Sequence, residues 1–400
     1  MALTYNTSTG YTQSSTSSVT KKLWDSLLHK QVQNKLFWKD MIGKDKGGES
    51  SIEEAQVNTP IVEKTDLRKS KGDNITLQLH KVLVSGDETV AAYLDAGKTG
   101  NQQLVDNEAT LSAYYMDVPV DLYRHGVLIQ GEMAEQRNPT DLQKAGNESL
   151  SEHLAKRLDD GVFIAFYGKF SPNVWRGGSK TGVAHPNRIF GKNKAALIDV
   201  DANDVLDTDV LERVAVALRV NNISPVSFEG EACYGLVCHP YGMKTLRADS
   251  LWRDAVQLAL PRSSKNPIFT RADGQKYAGI YVMEDPRIST EKLWTNAASS
   301  NAISTVNAAT VGAGMTATDI RMNILFGSNA IGRAFAKESF IRRRKEDDYG
   351  NLIGFGGGYI YGDIRTDWTP DGGGTAANQS SFLLSTYSPN PSSNVTAIWS

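Results

Sequence analysis

Residues 138–168 read NPTDLQKAGNESLSEHLAKRLDDGVFIAFYG, and no other stretch limits the possible folds as tightly. Asn138 is a good N-cap, because its side-chain oxygen accepts a backbone N–H of the first turn. Pro139 follows at the first helical position, where a missing N–H costs nothing. Asp141 places a negative charge at the positive end of the helix. Gly168 is a natural stop, since glycine tolerates the left-handed backbone that ends many helices. The spacing therefore predicts one helix over 138–168, roughly 44 Å long at 1.5 Å per residue.

The apolar stripe of this helix is oblique. Leu142, Gly146, Leu150, Leu154, Leu158 and Val162 fall four apart. Each step of four overshoots a full turn by about 40°. The stripe thus rotates through roughly half the circumference, and no single flat partner can cover it. Such a helix packs on different elements at its two ends. Gly146 and Gly161 lie inside it, each costing roughly 1 kcal/mol against alanine, which points to close approaches or a bend.

Four hundred residues exceed what one small core needs, so two or three subdomains are expected. A net charge of −2 gives no global field toward nucleic acid or membrane. No apolar run reaches the roughly 18 residues of a membrane span, and the N-terminus lacks a basic-then-apolar secretory signal. Cys233 and Cys238 are an odd number of residues apart in a strand-like stretch, EACYGLVCHP. Their side chains then point to opposite faces, and two reduced, buried thiols are expected.

Residues 1–20 hold eleven Ser or Thr and form an arm with no core of its own. An amphipathic helix is predicted from Val19 to Ile42, carrying Leu23, Leu27, Leu28, Val32 and Leu36, with Trp24 and Trp38 flanking it. The first reading of these tryptophans is core packing; the second is a subunit contact. Residues 43–74 are polar and charged. NITLQLHKVLV alternates as a strand with one covered face, and TLSAYYMDVPVDLYRH alternates as its return, with Pro119 marking a nearby free edge. The span 60–125 therefore reads as a long two-stranded excursion, too marginal to stand alone. Further helices are predicted from Asp204 to Val220 and from Pro240 to about Leu260. Strands are predicted at Tyr234–His239, Gly279–Glu284, Arg321–Gly327, Ile331–Lys337, Leu352–Tyr361 and Ser381–Tyr387. The class is α+β, without the alternation of a doubly wound dinucleotide fold.

The chemistry-bearing residues form no recognisable constellation. The six histidines are no closer than 28 residues apart, and no metal-ligand spacing occurs. Asp199, Asp201 and Asn203 imitate the start of a calcium loop, but Asp204 stands where that loop needs glycine and Val210 where it needs glutamate. These acids are better read as serving the helix that follows. Gly97-Lys98-Thr99 imitates the end of a phosphate loop without its first glycine. GFGGGYIYG at 354–362 is read as a strand with small residues where another backbone comes close. No cofactor or metal is implied. Two basic clusters remain as candidate inter-subunit contacts along with Trp24 and Trp38. One is Lys64, Arg68, Lys69 and Lys71; the other is Arg342, Arg343 and Arg344, followed by Glu346, Asp347 and Asp348. The plain reading of the second block is a solvated turn; the sharper one is ion pairing between subunits.

The ordered set of stretches NEATLSAYYMDVPVDLYRHGVLIQGEMAEQRNPTDLQKAGNESLSEHLAKRLDDGVF, CHPYGMKTLR, NPIFT, GQKYAGIYVMEDPRI, ILFGSNAIGRAFAK, DDYGNLIGFGGGYIYGDIRTDW and SFLLSTYS spans about 107–388. It resembles the podovirus N-four-type major capsid protein family of tailed bacteriophages. That family has the Hong Kong ninety-seven coat-protein fold. The resemblance implies an N-terminal arm and helix at 1–43 and an extended loop at 44–125, lying over an adjacent subunit. It implies a peripheral domain at 126–199 containing the spine helix, and a mainly axial domain at 200–330. C-terminal strands at 331–400 would return to both. It further implies hexamers and pentamers of this chain enclosing double-stranded DNA, with portal, scaffolding and decoration proteins as partners. No membrane is involved, and assembly is expected in the host bacterial cytoplasm. Longer insertions at 169–203 and 295–318 depart from the family, and no Lys–Asn pair matches the parent fold's crosslink. The alternatives are an encapsulin-like nanocompartment shell, which shares the fold, and a nucleotide-dependent enzyme using Gly97-Lys98-Thr99.

Overall fold

A computed structural model describes residues 17–44, 59–64, 72–80, 113–129, 136, 142–169, 185–192, 194–228, 231–259, 275–290, 319–344, 353–370, 377–378 and 380–389. In chain order the first elements are α1 (Ser17–Asn34), β1 (Ile42–Lys44), β2 (Ile61–Lys64), β3 (Asn74–His80), β4 (Ala113–Pro119) and β5 (Asp121–Ile129). Then come α2 (Leu142–Gly168), β6 (Arg188–Phe190), α3 (Thr208–Val220), β7 (Val226–Phe228), β8 (Glu231–Cys238), α4 (Pro240–Ala248) and α5 (Ser250–Ala259). The remainder are β9 (Gln275–Tyr277), β10 (Ile280–Glu284), β11 (Ile320–Phe326), β12 (Ile331–Arg343), β13 (Ile353–Arg365), β14 (Asp367–Pro370), β15 (Ala377–Asn378) and β16 (Ser381–Tyr387).

The chain divides into two compact units, each assembled from three separate pieces. The first holds residues 1–40, 121–159 and 335–361; the second holds 41–120, 160–334 and 362–400. The long helix α2 is continuous through Gly168 and supplies residues to both. Residues 138–141, where the sequence places its N-cap, lie outside the described residues. The oblique stripe is buried as expected: Leu150, Leu154, Leu158 and Val162 are all fully buried. In the first unit Gly146 faces the side chains of Val127 and Ile129 on β5, and Leu150 and Leu154 lie against Gly357 of β13. In the second unit Phe166 packs on Phe326 of β11, with ring centroids 6.1 Å apart. There the Tyr167 hydroxyl donates to the Met322 carbonyl at 2.8 Å. The two ends of the helix thus have different partners, as the rotating stripe requires. The stop is not made by Gly168 taking a left-handed conformation. Gly168 is the last helical residue, and Lys169 after it adopts φ 82°. Lys169 donates its N–H to Ala165. The side chain of Arg365, itself fully buried, donates to the Phe166 carbonyl at 2.9 Å. A buried cation thereby satisfies a helix-end carbonyl and complements the negative pole.

The first unit is a sheet with neighbours β12-β13-β5, covered on one face by α1 and α2. Helix α1 is shorter than the predicted Val19–Ile42. The Phe37 N–H instead donates to the Asp159 carboxylate at 2.9 Å, which turns the chain inward and buries Trp38 completely. Asp25 of α1 accepts the Ile341 N–H at 2.8 Å and pairs with Arg342 at 2.9 Å. The Arg344 N–H points to Gly354 of β13. Ile341, three residues earlier, therefore aims its N–H off the opposite edge of β12, and Asp25 blunts that edge. At the other border, β5 pairs with β13 from Ile353↔Ile129 to Tyr361↔Asp121 and has no second strand partner among the described residues.

The second unit contains a mixed sheet ordered β6-β16-β11-β8-β10-β9, with β7 on β8. Its parallel pairs β8·β10 and β6·β16 stand beside antiparallel ones, which confirms α+β and not a doubly wound sheet. Leu206, Val210, Leu211, Val214 and Leu218 of α3 and its approach close over Leu236, Ile280, Val282 and Leu325. The predicted single helix after Pro240 is two. Asp249 between them is extended, accepts both the N–H and the hydroxyl of Thr208, and caps α5 through the Leu251 N–H. The predicted excursion is narrower than 60–125, because β2 pairs with β1 and β12, and β5 belongs to the other unit. Strands β3 and β4 do pair, from Asn74↔Pro119 to His80↔Ala113. They do not stand alone, because β4 also takes β14 in a sheet ordered β15-β14-β4-β3. The alternation holds: Ile75, Leu77, Met116 and Val118 are buried. Leu77, Met116 and Val118 lie over Gly332, whose missing side chain makes room for them. Residues 81–112 lie outside the described residues.

Candidate assembly surfaces

The sequence candidates fall in different places. Trp24 is on α1, with its side chain outside the description; Trp38 is core in its own unit. Lys64 ends β2 and is half-buried. Arg68, Lys69, Lys71, Glu346, Asp347 and Asp348 lie outside the described residues, as do Gly97-Lys98-Thr99. Arg342, Arg343 and Arg344 are exposed at the end of β12. The structure brings the three arginines into one groove with Arg124 of β5, a grouping the sequence spacing does not reveal. The cavity measures about 440 Å³.

The groove follows from strand parity. Side chains alternate across a sheet. A Cβ on Gly357 would meet Leu150 and Leu154 of α2. The odd positions of β13 thus face the helices, and Gly354, Gly356 and Gly358 face away. On that bare face, a Cβ on Gly354 would meet the Arg344 and Leu128 side chains, and one on Gly358 would meet Arg124. Gly356 stands opposite Gly126. The GFGGGYIYG stretch is therefore the expected strand with close backbone neighbours. Its glycines also form a channel floored by backbone, with arginines of β12 on one side and Arg124 and Leu128 of β5 on the other. Leu128 is 53% exposed and Leu122, on the same face, 46%. Phe340 lies between cations, with the Lys337 ammonium 4.3 Å and the Arg342 guanidinium 5.5 Å from its ring centre, a cation–π arrangement.

The remaining titratable groups are structural. The acids after Asp199 hold a turn: Asp204 accepts the N–H groups of Lys192 and Asp201 at 2.8 and 2.7 Å. Asp207, rather than the earlier acids, caps α3 through the Val210 N–H. Asp201 receives the Asn203 N–H and the Lys194 ammonium, which hold its carboxyl below the usual range. Burial pushes the Cys238 thiol up to about 12; both cysteines are reduced and buried. The fold places His125 and His153 with ring centres 4.1 Å apart, and the Tyr123 hydroxyl lies 2.7 Å from His153 Nε2. No third ligand joins them: among the described residues there is no cluster of three metal-ligating side chains.

The chain is similar to the capsid of Ralstonia phage GP4, with a TM-score of 0.64 at 20% identity, covering 90% of this chain and 93% of that one. It is also similar to the cyanophage Pam1 capsid, with a TM-score of 0.63 at 19% identity, covering 88% and 92%. The fold is that of the Hong Kong ninety-seven coat protein, and the class is a bacteriophage shell protein. Residues 12–388 match the family described as phage capsid protein, and the chain belongs to that family. A curated relative, the major capsid protein of Pseudomonas phage KPP25, is 24% identical over 272 residues, 62% of this chain and 67% of the relative. The protein is a phage capsid protein, a structural component of the virion capsid. This family assignment displaces the nanocompartment and nucleotide-enzyme readings.

Proposed function

We propose that this chain is the repeating subunit of an icosahedral phage head. It assembles as hexamers and pentamers around packaged double-stranded DNA, within the host cytoplasm, with portal, scaffolding and decoration proteins as partners. The family match over almost the whole chain carries this reading. The first unit supports it as well, since among the described residues its groove is open and Leu122 and Leu128 on one border are exposed. Within the head, 1–43 acts as the arm, 44–125 as the extended loop over a neighbour, 126–199 as the peripheral domain, 200–330 as the axial domain and 331–400 as the returning strands. Trp24, Lys64, Arg68, Lys69, Lys71, Arg342–Arg344 and Glu346–Asp348 serve contacts between copies; Trp38, being core, does not. Each contact is modest, and closure of the shell multiplies them. The test is electron microscopy of the full chain expressed with its scaffold. Closed, uniform shells are expected; a protein that stays monomeric with every assembly factor supplied refutes the proposal.

A further inference from the structure

We infer that the first turn of α4, with Arg321 and Ser388, is a binding site for one small oxyanion of the phosphate class. The site lies wholly within the second unit and does not depend on the capsid reading. Helix α4 starts directly after β8, with Pro240 in its first turn. Two N–H groups of that turn are already engaged. Tyr241 donates to Nδ1 of His239 at 3.2 Å, and Met243 donates to the His239 carbonyl at 3.0 Å. Among the described residues none accepts the Gly242 N–H. The positive pole of a helix resides in such groups, and backbone N–H groups at a helix start suit an oxyanion.

Two side chains from other elements join the helix start. Ser388 follows β16 and is fully buried, with its backbone N–H on the Asp319 carbonyl at 2.8 Å. Its hydroxyl has no hydrogen-bond partner among the described residues, a costly state for a buried polar group. That hydroxyl oxygen lies 3.4 Å from where a Cβ on Gly242 would stand, so it faces the first turn of α4. Arg321 shares one face of β11 with Leu325, which packs in the same core as Met243 and Leu246 of α4. Its guanidinium carbon stands 5.6 Å from the centre of the Tyr241 ring. Arg321 is half-buried, and among the described residues its hydrogen bonding is a long 3.4 Å contact from Nη1 to the Ile288 carbonyl. Its Nε is buried without a partner, and no described carboxylate, Asp319 included, comes within ion-pair distance. Asp285, at the end of neighbouring β10, is held by Arg287 through bonds of 3.0 and 2.8 Å.

A half-buried guanidinium against the positive end of a helix sets like charges together in a poorly hydrated place. An anion between them removes that conflict. It accepts hydrogen bonds from the Gly242 N–H, the Ser388 hydroxyl and Arg321, and charge-assisted bonds of this kind are the strong ones. The recess favours a free ion over a nucleic-acid backbone. Gly242 and Ser388 are buried, and a phosphate carried on a duplex cannot follow them inward.

The experiment is titration calorimetry of the full chain before assembly, with inorganic phosphate as the probe in a buffer free of phosphate and sulfate. One phosphate per chain is expected, with sulfate competing for the same site. Ser388→Ala and Arg321→Gln are each expected to weaken binding at least tenfold, the size set by a bond to a charged group. Arg213→Gln, on the exposed side of α3, is expected to bind as the unmodified chain does. Ser388→Ala removes only the unserved hydroxyl, so it decides the matter if Arg321→Gln does not fold. No phosphate binding by the unmodified chain overturns the inference. So does binding that Ser388→Ala leaves unchanged, which places the ion elsewhere. Displacement of phosphate by a short duplex DNA assigns the site to nucleic acid and overturns it as well. Shell formation is not read in any of these titrations, so failure here leaves the capsid reading standing.

Discussion

Replacing Arg365 by methionine tests how the long helix is terminated. Arg365 is fully buried; its Nη1 donates to Phe166 O at 2.9 Å, and its Nε and Nη2 hold the Asp367 carboxylate at 2.9 and 2.8 Å. Asn378 adds a bond to Asp367 at 3.0 Å, and the Lys169 ammonium stands 4.0 Å away. Methionine removes the donor at the helix end and leaves a buried carboxylate with only those two weaker supports. Breaking one side of a buried pair costs about 3–5 kcal/mol. With a urea slope near 3 kcal/mol per molar, the unfolding midpoint of the unassembled subunit falls by about 1 M or more. Replacing both partners, Arg365→Met with Asp367→Leu, removes the stranded charge. The double variant is then less destabilised than the sum of the two singles by roughly 1.5 kcal/mol or more. Single costs below about 1 kcal/mol that simply add would show that the arginine does not hold the helix end.

Gly235→Ala places a Cβ inside the Phe326 ring and should cost about 1–3 kcal/mol by denaturation, with part of the loss recovered by Phe326→Leu. His239 has its pKa lowered to about 4 by burial and by Arg321, and burial with Arg365 and Arg188 holds His185 well below its usual value. The unfolded chain therefore binds more protons than the folded one below about pH 6.5, and stability falls as pH drops from there toward 4. His239→Gln should flatten that decline in a pH series of melts. Because burial raises the Cys238 thiol to about 12, native protein at pH 8 should resist a thiol reagent that reacts promptly once urea is added.

The legible parts of this fold are those where one chain property dominates. The four-residue spacing in α2 gave the buried stripe and its two sets of partners, and the alternation in β3 gave its covered face. What periodicity missed was decided by single side chains reaching across the chain. Asp249 breaks one expected helix in two by serving Thr208, 41 residues away. Asp159 ends α1 early by binding the Phe37 N–H, 122 residues away. Lys169 rather than Gly168 takes the left-handed position, where the buried Arg365 anchors the carbonyl that ends the helix. Strand β2 was hidden because four residues in a charged stretch carry no period, although Ile61 is fully buried. The arginine groove was half visible: Arg342–Arg344 stood out by composition, but Arg124 and the floor glycines join them only through the register of β5 on β13.

The central claim is that one unbroken helix serves two cores within a shell-forming subunit. A cryo-electron microscopy reconstruction of the assembled particle tests it most directly. The account predicts a closed icosahedral shell in which every subunit shows a single helix from Leu142 to Gly168, with Leu154 buried in one core and Phe166 in the other. Two separate helices over that span, or an open aggregate without symmetry, would contradict it.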